Sequence, residues 1–421
     1  MSHEAAIVVT GAGLALPLGL SMDGVWSRLV RGESAIGPMR VLDTARLGVL
    51  AAAEVPAFDL ASRLRFPKNE KFMGRSVRFG LLAALDAVAA SAIDFALLDA
   101  YRVGIHVGSG QTGLETAEFF GALDVAGEDD PNYRNMGGRA ARMIDRYWSL
   151  RTLSNAGLGL LSMELGAKGS SANFVQGDTA SSQAIIAGCQ DLAEGRCDVV
   201  LAGGYDSLLT ASTCLAYARA GLLSAAGPET AGRPFDRARD GLVLGEGAGF
   251  LVLERHEDAR RRGAPILGAL VGFGSSMEAG EAPPKASARS FTAAVGEATS
   301  RQGPDFVMAH GIGTVDADER EAGLLQAQMG SPVAVTAVKG ATGYLGAATG
   351  AVEIILALLA ARHRAVPPIA HLAEPDEGVT LDLVRGTARR AAQANPAGLC
   401  LSWSWTGQLT AVLVAATTPP S

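Results

Sequence analysis

Short β-branched and apolar runs alternate along this chain with longer alanine-rich stretches, the pattern of an α/β fold. Ile7-Val8-Val9-Thr10-Gly11-Ala12-Gly13 predicts a strand running into a glycine turn, just ahead of Pro17-Leu18-Gly19. Val103-Gly104-Ile105-His106-Val107-Gly108-Ser109-Gly110 predicts a second strand, and Asp198-Val199-Val200-Leu201-Ala202-Gly203-Gly204 a third. Helices are expected over 77–90, 182–194, 287–300 and 351–362. The polar stretch 126–135 reads as a loop or cap insertion. Residues 224–241, rich in Gly, Pro and charge, read as an irregular segment.

Composition sets limits on this picture. At 421 residues and 48% hydrophobic content the chain can bury a large core and form two domain-sized halves. A formal charge of −7 argues against nucleic acid as a partner. Cys189, Cys197, Cys214 and Cys400 show no metal-binding spacing and read as buried thiols of a reduced, cytoplasmic protein. No apolar run reaches the ~18 residues of a membrane span, so no membrane association is expected. Gly11-Ala12-Gly13 begins like a dinucleotide fingerprint, but Leu16 stands where its third glycine belongs, and a tight turn is the better reading. Gly245-Glu246-Gly247-Ala248-Gly249 lacks the Lys-Ser/Thr of a phosphate loop. Neither motif supports a nucleotide, and no cofactor or metal is expected.

Several motifs carry a more specific signal. Gly177-Asp178-Thr179-Ala180-Ser181-Ser182-Gln183 precedes the second predicted helix, whose start favours an anion. Arg233-Pro234-Phe235-Asp236 leads to Arg239-Asp240-Gly241. His310-Gly311-Ile312-Gly313-Thr314 is followed by Asp318 and Glu321, and Val338-Lys339 by Gly343-Tyr344 and Gly350-Ala351-Val352-Glu353. In this order, over nearly the whole chain, these landmarks resemble the β-ketoacyl-acyl-carrier-protein synthases. The resemblance implies the thiolase fold: two pseudo-duplicated βαβαβ halves in a five-layer α-β-α-β-α sandwich. It divides the chain into residues 1–254, with cap insertions, and 255–421.

Members of that family use a cysteine and two histidines. The family elbow reads Asp-Thr-Ala-Cys-Ser-Ser, so the resemblance puts Ser181 in the place of the cysteine. His310 matches the first histidine and Tyr344 replaces the second. A serine needs a dedicated base to attack, and a phenol with a pKa near 10 offers one O–H donor rather than a proton shuttle. Lys339 and Glu321 keep family positions and are expected to pair behind the histidine loops. The last landmark, Ser-Phe-Gly-Phe-Gly-Gly-Thr-Asn in the family, is Ser402-Trp403-Ser404-Trp405-Thr406-Gly407-Gln408-Leu409 here. Trp405 and Ser404, together with Phe235, are the expected oxyanion and gating residues. Replacing glycines by Ser404 and Thr406 stiffens this loop, and the two tryptophans wall off a tunnel.

Two functions fit. One is a non-condensing chain-length-factor partner of an active ketosynthase in a type II polyketide or fatty acid system. The other is a stand-alone serine acyltransferase that uses Ser181 and His310 on acyl-carrier-protein or acyl-CoA thioesters. Either predicts a dimer, with itself or with a homologous ketosynthase subunit, through apolar surface from residues 196–215. Either also predicts acyl carrier protein as a partner. Arg63, Arg65, Lys68, Lys71, Arg75 and Arg78, opposed only by Glu70, form the expected docking segment for its acidic helix.

Overall fold

One strand order, used twice, builds the main sheet. In the computed structural model, which describes residues 7–42, 48–110, 121–124, 138, 140–278, 288–329 and 333–416, eleven strands are hydrogen-bonded edge to edge. The first half supplies β1 (Ile7–Ala15), β2 (Val103–Ser109), β3 (Ser171–Phe174), β4 (Val199–Ser207) and β5 (Glu246–Arg255). The second supplies β6 (Gly268–Met277), β7 (Phe306–Met308), β8 (Ala334–Thr336), β9 (Asp382–Leu383), β10 (Ala397–Trp403) and β11 (Gln408–Ala415). Spatially the first half runs β3-β2-β4-β5-β1 and the second β8-β7-β10-β11-β6, with β9 added at its outer edge. Both are the order third, second, fourth, fifth, first. β1 and β6 join the halves antiparallel through Ile7–Leu270, Val8–Ala269 and Val9–Gly268.

Helices occupy equivalent places in the two halves. α1 (Arg75–Ser91) and α3 (Ala288–Ala298) follow the first strand of each half; α2 (Ala180–Ala193) and α5 (Thr349–His363) follow the third. A fifth helix, α4 (Val315–Gln328), lies between β7 and β8. Side chains alternate across each strand. On β5, Leu251 and Leu253 join the core around α2 and α5, while Phe250 and Val252 join the core under α1. On β11, Val412 and Val414 face the central helices, while Leu409, Ala411 and Leu413 face α3. Both faces of both half-sheets are covered, which is why the strands read as continuous apolar runs. The result is the five-layer α-β-α-β-α arrangement expected.

The predicted helices are present with slightly different ends, whereas three local expectations change. Gly11 and Gly13 do not make a turn; they lie within β1, which continues to Ala15. α1 crosses them so closely that a Cβ at Gly11 would sit 2.1 Å from the Ala87 carbonyl oxygen, and one at Gly13 2.1 Å from that of Ala83. Residues 196–215 offer little apolar surface: β4 is paired on both sides and Leu208, Leu209 and Cys214 are buried, leaving Leu215 as the exposed large apolar side chain of the segment. Residues 346–363 form an 18-residue helical stretch apolar enough to span a membrane, but 83% of it is buried inside the protein. It is the core helix around α5. All four cysteines are buried and free. Residues 224–241 are irregular as expected, while the stretch 126–135 lies outside the described residues.

The packing of α1 on β1 gives a stability test. Gly11→Ala and Gly13→Ala should each lower the unfolding free energy by about 1–3 kcal/mol or more, because the displaced atoms are backbone. Gly159→Ala, in a helix with open space around the added methyl, should hold or raise it. Guanidinium unfolding of the three variants checks this; equal effects would contradict the close crossing.

Candidate active site

The central helices begin beside one another. The Ala351 N–H of α5 donates to Ser181 Oγ of α2 at 2.9 Å, and a Cβ at Gly350 would meet Ser182 Oγ at 2.3 Å. The segments leading into these helices therefore converge. Ahead of α2 lies the turn Gly177–Thr179, entered through Gly177 at φ 62°. Ahead of α5 lies Tyr344, preceded by Gly343 at φ 71°. Across this junction the Tyr344 hydroxyl donates to Asp178 Oδ2 at 2.6 Å, and the Trp405 Nε1–H donates to the same hydroxyl at 2.7 Å. Tyr217 of the helix Ala211–Arg219 lies alongside, its ring centre 6.1 Å from that of Tyr344.

Ser181 is not brought to this junction. Its side chain is fully buried between Gly108 and Gly204, and its oxygen caps the start of α5. The side chain that meets Tyr344 is Asp178, three residues earlier. Asp178 is buried, and its second oxygen, Oδ1, has no hydrogen-bond partner among the described residues. Burial pushes its carboxyl up to about 7, with Asp206 adding repulsion against the opposing effects of Tyr344 and Lys339.

His310 follows β7 on a loop held by carboxylates. Glu321 of α4 accepts the N–H groups of His310 and Gly311, both at 2.7 Å. Asp318 accepts those of Ile312, Gly313 and Phe235. The expected Lys339–Glu321 pair does not form. Lys339 instead donates to Glu353 Oε1 on α5 and to the His310 carbonyl, both at 2.5 Å, with its nitrogen 3.2 Å from His310 Nδ1. An ammonium donor at Nδ1 makes that nitrogen the acceptor and leaves the ring proton on Nε2. Burial, helped by Lys339, holds the imidazole well below its ordinary range, so it is neutral at pH 7. Burial also pushes Glu353 up to about 8, outweighing the attraction of Lys339, and Glu321 up to about 7.

His310 opens onto a cavity of 410 Å³ whose walls include Ile312, Arg320, Trp403, Ser404 and Trp405. Trp403 stacks on the imidazole at 6.3 Å and 9°. Asp178 and Tyr344 do not line this cavity; Trp405 stands at its wall with its indole nitrogen turned to Tyr344. The loop around Trp405 is tied shut. Ser404 Oγ and Thr406 Oγ1 are 2.8 Å apart, and the Ser404 N–H donates to the Gln408 carbonyl at 2.7 Å. Phe235, expected among the gating residues, is not in the wall of this cavity. Fully buried at φ 60°, it packs under Gly311 and gives its N–H to Asp318.

The basic segment divides in two. Arg63 pairs with Asp86, Arg75 with Glu246 and Arg78 with Glu70. Arg65, Lys68 and Lys71 remain exposed, with Arg65 over Phe66 and Lys71 over Phe72 and Tyr147.

The arrangement of a helix-start elbow, a histidine loop and a lysine–glutamate pair agrees with the family models. The β-ketoacyl synthase N-terminal domain matches residues 4–259 and its C-terminal domain residues 264–373. This chain belongs to the β-ketoacyl synthase family. It is 31% identical over 394 residues to 3-oxoacyl-[acyl-carrier-protein] synthase 2 of Coxiella burnetii, covering 91% of this chain and 92% of that protein. It is 30% identical over 413 residues to the Vibrio cholerae protein of the same name, covering 95% and 96%. Among solved structures it is similar to the ishigamide ketosynthase/chain length factor, with TM-score 0.88, 25% identity and coverage of 99% and 100%. A type II acyl-carrier protein in complex with its ketosynthase matches with TM-score 0.82, 22% identity and coverage of 99% and 100%, a likeness of fold.

The buried carboxyl at the junction has a measurable consequence. Asp178 keeps its proton to about pH 7 when folded but only to the ordinary carboxylate range when unfolded. The resulting stability is full below that ordinary range and is lost as pH rises through about 7. Asp178→Asn should therefore lose stability less steeply than the wild type between about pH 4 and 7, with parallel behaviour above about 8. Urea midpoints across this range decide it; identical slopes would mean that Asp178 titrates as an ordinary carboxylate.

Proposed function

We propose that this chain is a non-condensing, chain-length-factor-like subunit that works beside a cysteine-bearing ketosynthase. The observation that carries this reading is Asp178, a carboxyl where the elbow, Tyr344 and the His310 loop converge. Acyl transfer from a thioester to a carboxylate would give a mixed anhydride, a stronger acyl donor than the thioester it came from. Loading is therefore uphill. An ionised Asp178 would also repel the carboxylate of a malonyl unit. Tyr344 supplies a donor but no basic ring, so the second imidazole of a condensing site is absent as well.

The comparison with a ketosynthase/chain length factor supports the partner reading; similarity to 3-oxoacyl-[acyl-carrier-protein] synthases fits the ketosynthase side of the family. The serine acyltransferase reading loses its geometric basis with Ser181 engaged at α5. For the partner contact we favour the edge of β3, which among the described residues pairs only with β2. Acyl carrier protein is the expected second partner, at Arg65, Lys68 and Lys71. We also take the two halves to divide at residues 254/255 and the protein to act in the cytoplasm.

Co-expression with a cysteine-bearing ketosynthase from the same source, tagging only this chain, should yield a 1:1 complex. Intact-mass analysis of this chain after incubation with acyl-carrier protein should show no adduct. A stable acyl adduct, or condensation by this chain alone, would overturn the proposal.

Charge reversal at Lys68 and Lys71 should weaken carrier binding several-fold at low salt, and less at high salt. Unchanged affinity in titrations would remove this segment as the docking site.

A further inference from the structure

The chain from Trp405 through Tyr344 to Asp178 has a fixed direction. An indole Nε1–H can only donate, so Trp405 needs an acceptor when turned inward. Tyr344 accepts from it and passes its own proton toward Asp178, which accepts. Tyr344 and Trp405 sit among the apolar side chains of Leu208, Leu244 and Ile312, and Asp178 is itself buried, so a hydrogen bond here is stronger and an unmade one more costly than in water. Trp405 at the same time forms part of the wall of the His310 cavity.

We infer that Tyr344 and Asp178 are positioning residues that lock Trp405 as a plug between the His310 cavity and the elbow. The subunit is thus closed at its own mouth by a hydrogen-bonded bolt, and not merely disarmed by loss of a nucleophile. The polar ties of Ser404 and Thr406 shorten the loop's reach, while the bolt fixes the indole itself. An acyl chain shaped by this subunit then arrives from the partner's side. That role rests on the partner reading above, whereas the lock is a property of this chain alone.

The test uses the full chain and octanoyl-pantetheine as the probe. Acrylamide quenching is measured for each variant as the difference from its Trp405→Phe counterpart. The Tyr217 hydroxyl also reaches Tyr344 and Trp405, so the series is made with Tyr217→Phe in every background; there Tyr344→Phe removes both bonds of the bolt and should raise the quenching of Trp405 and the affinity for octanoyl-pantetheine several-fold. Asp178→Ala should act in the same direction, whereas Asp178→Asn keeps an acceptor oxygen and should stay near the wild type. Trp405→Gly should bind the probe whether or not Tyr344 is intact. If Tyr344→Phe and Asp178→Ala both match the wild type in quenching and binding, there is no lock. Equal opening by Asp178→Asn and Asp178→Ala would likewise overturn the role of Asp178. Co-purification with a cysteine-bearing ketosynthase is read separately, so the lock and the partner reading can fail independently.

Discussion

Everything in the site depends on how closely the starts of α2 and α5 approach. The two helices hold equivalent places in the repeated strand order, and together they fill the layer between the half-sheets. Small residues permit the contact: Gly350 leaves room for Ser182, while Gly108 and Gly204 leave room for Ser181. The Ser181 oxygen meets one of the N–H groups that a helix start leaves without an internal partner. A side chain that ties two helix starts together in this way has a structural duty. The positions just before those helices are the ones aimed at each other, and they hold Asp178 and Tyr344.

Around that junction, acids outnumber cations. Asp178, Asp206, Glu321 and Glu353 are all pushed upward by burial, and Lys339 is the ammonium among them. Three of the four have clear positional work. Glu321 fixes the turn carrying His310 through two backbone bonds, and Asp206 accepts the Ala347 N–H on the way into α5. Glu353 holds Lys339, which in turn fixes the tautomer of His310. Asp178 and Glu353 each keep one oxygen without a hydrogen-bond partner among the described residues, and that of Asp178 lies at the junction itself. An unpaired buried oxygen is costly, and functional sites are where such costs are tolerated.

The layers, the central helices and the histidine and lysine loops were legible in the sequence, because each rests on a run of apolar residues or a long motif. What could not be read was a register. Asp178-Thr179-Ala180-Ser181-Ser182 copies the letters around a nucleophile, but Ser181, at the nucleophile's letter, lies three residues beyond Asp178, the residue that faces Tyr344. The local signal was Gly177: its left-handed conformation marks the elbow, so the residue that follows is the one presented. The glycines of β1 failed differently. Nothing in Gly11-Ala12-Gly13 tells a turn from a strand crossed by a helix, since both need the absence of a Cβ. Pairing was also hidden. Lys339 reaches Glu353 rather than Glu321 because α5 turns one face toward the lysine, while Glu321 is already occupied by backbone donors.

The groups at this site depend on one another, as the proposed closure requires and a simple decay would not. A carboxyl placed at the elbow needs a donor. An imidazole at position 344, fixed as neutral, would offer one proton with a basic nitrogen still exposed; a phenol offers the proton without that base. The phenol oxygen then retains acceptor capacity inside an apolar cluster, and the indole of Trp405 takes it up with a group that can only donate. Random loss of catalytic residues would leave these groups mismatched, each adding its own desolvation cost. Here Tyr344 donates to Asp178 and Trp405 donates to Tyr344, and the chain of bonds ends at the loop that faces the cavity. His310 lines the cavity on the other side of that loop, with its backbone N–H held by Glu321 and its ring and carbonyl by Lys339. Its retention is therefore evidence about the loop it anchors, which positions Ile312 and the cavity wall, and not by itself about chemistry at Asp178.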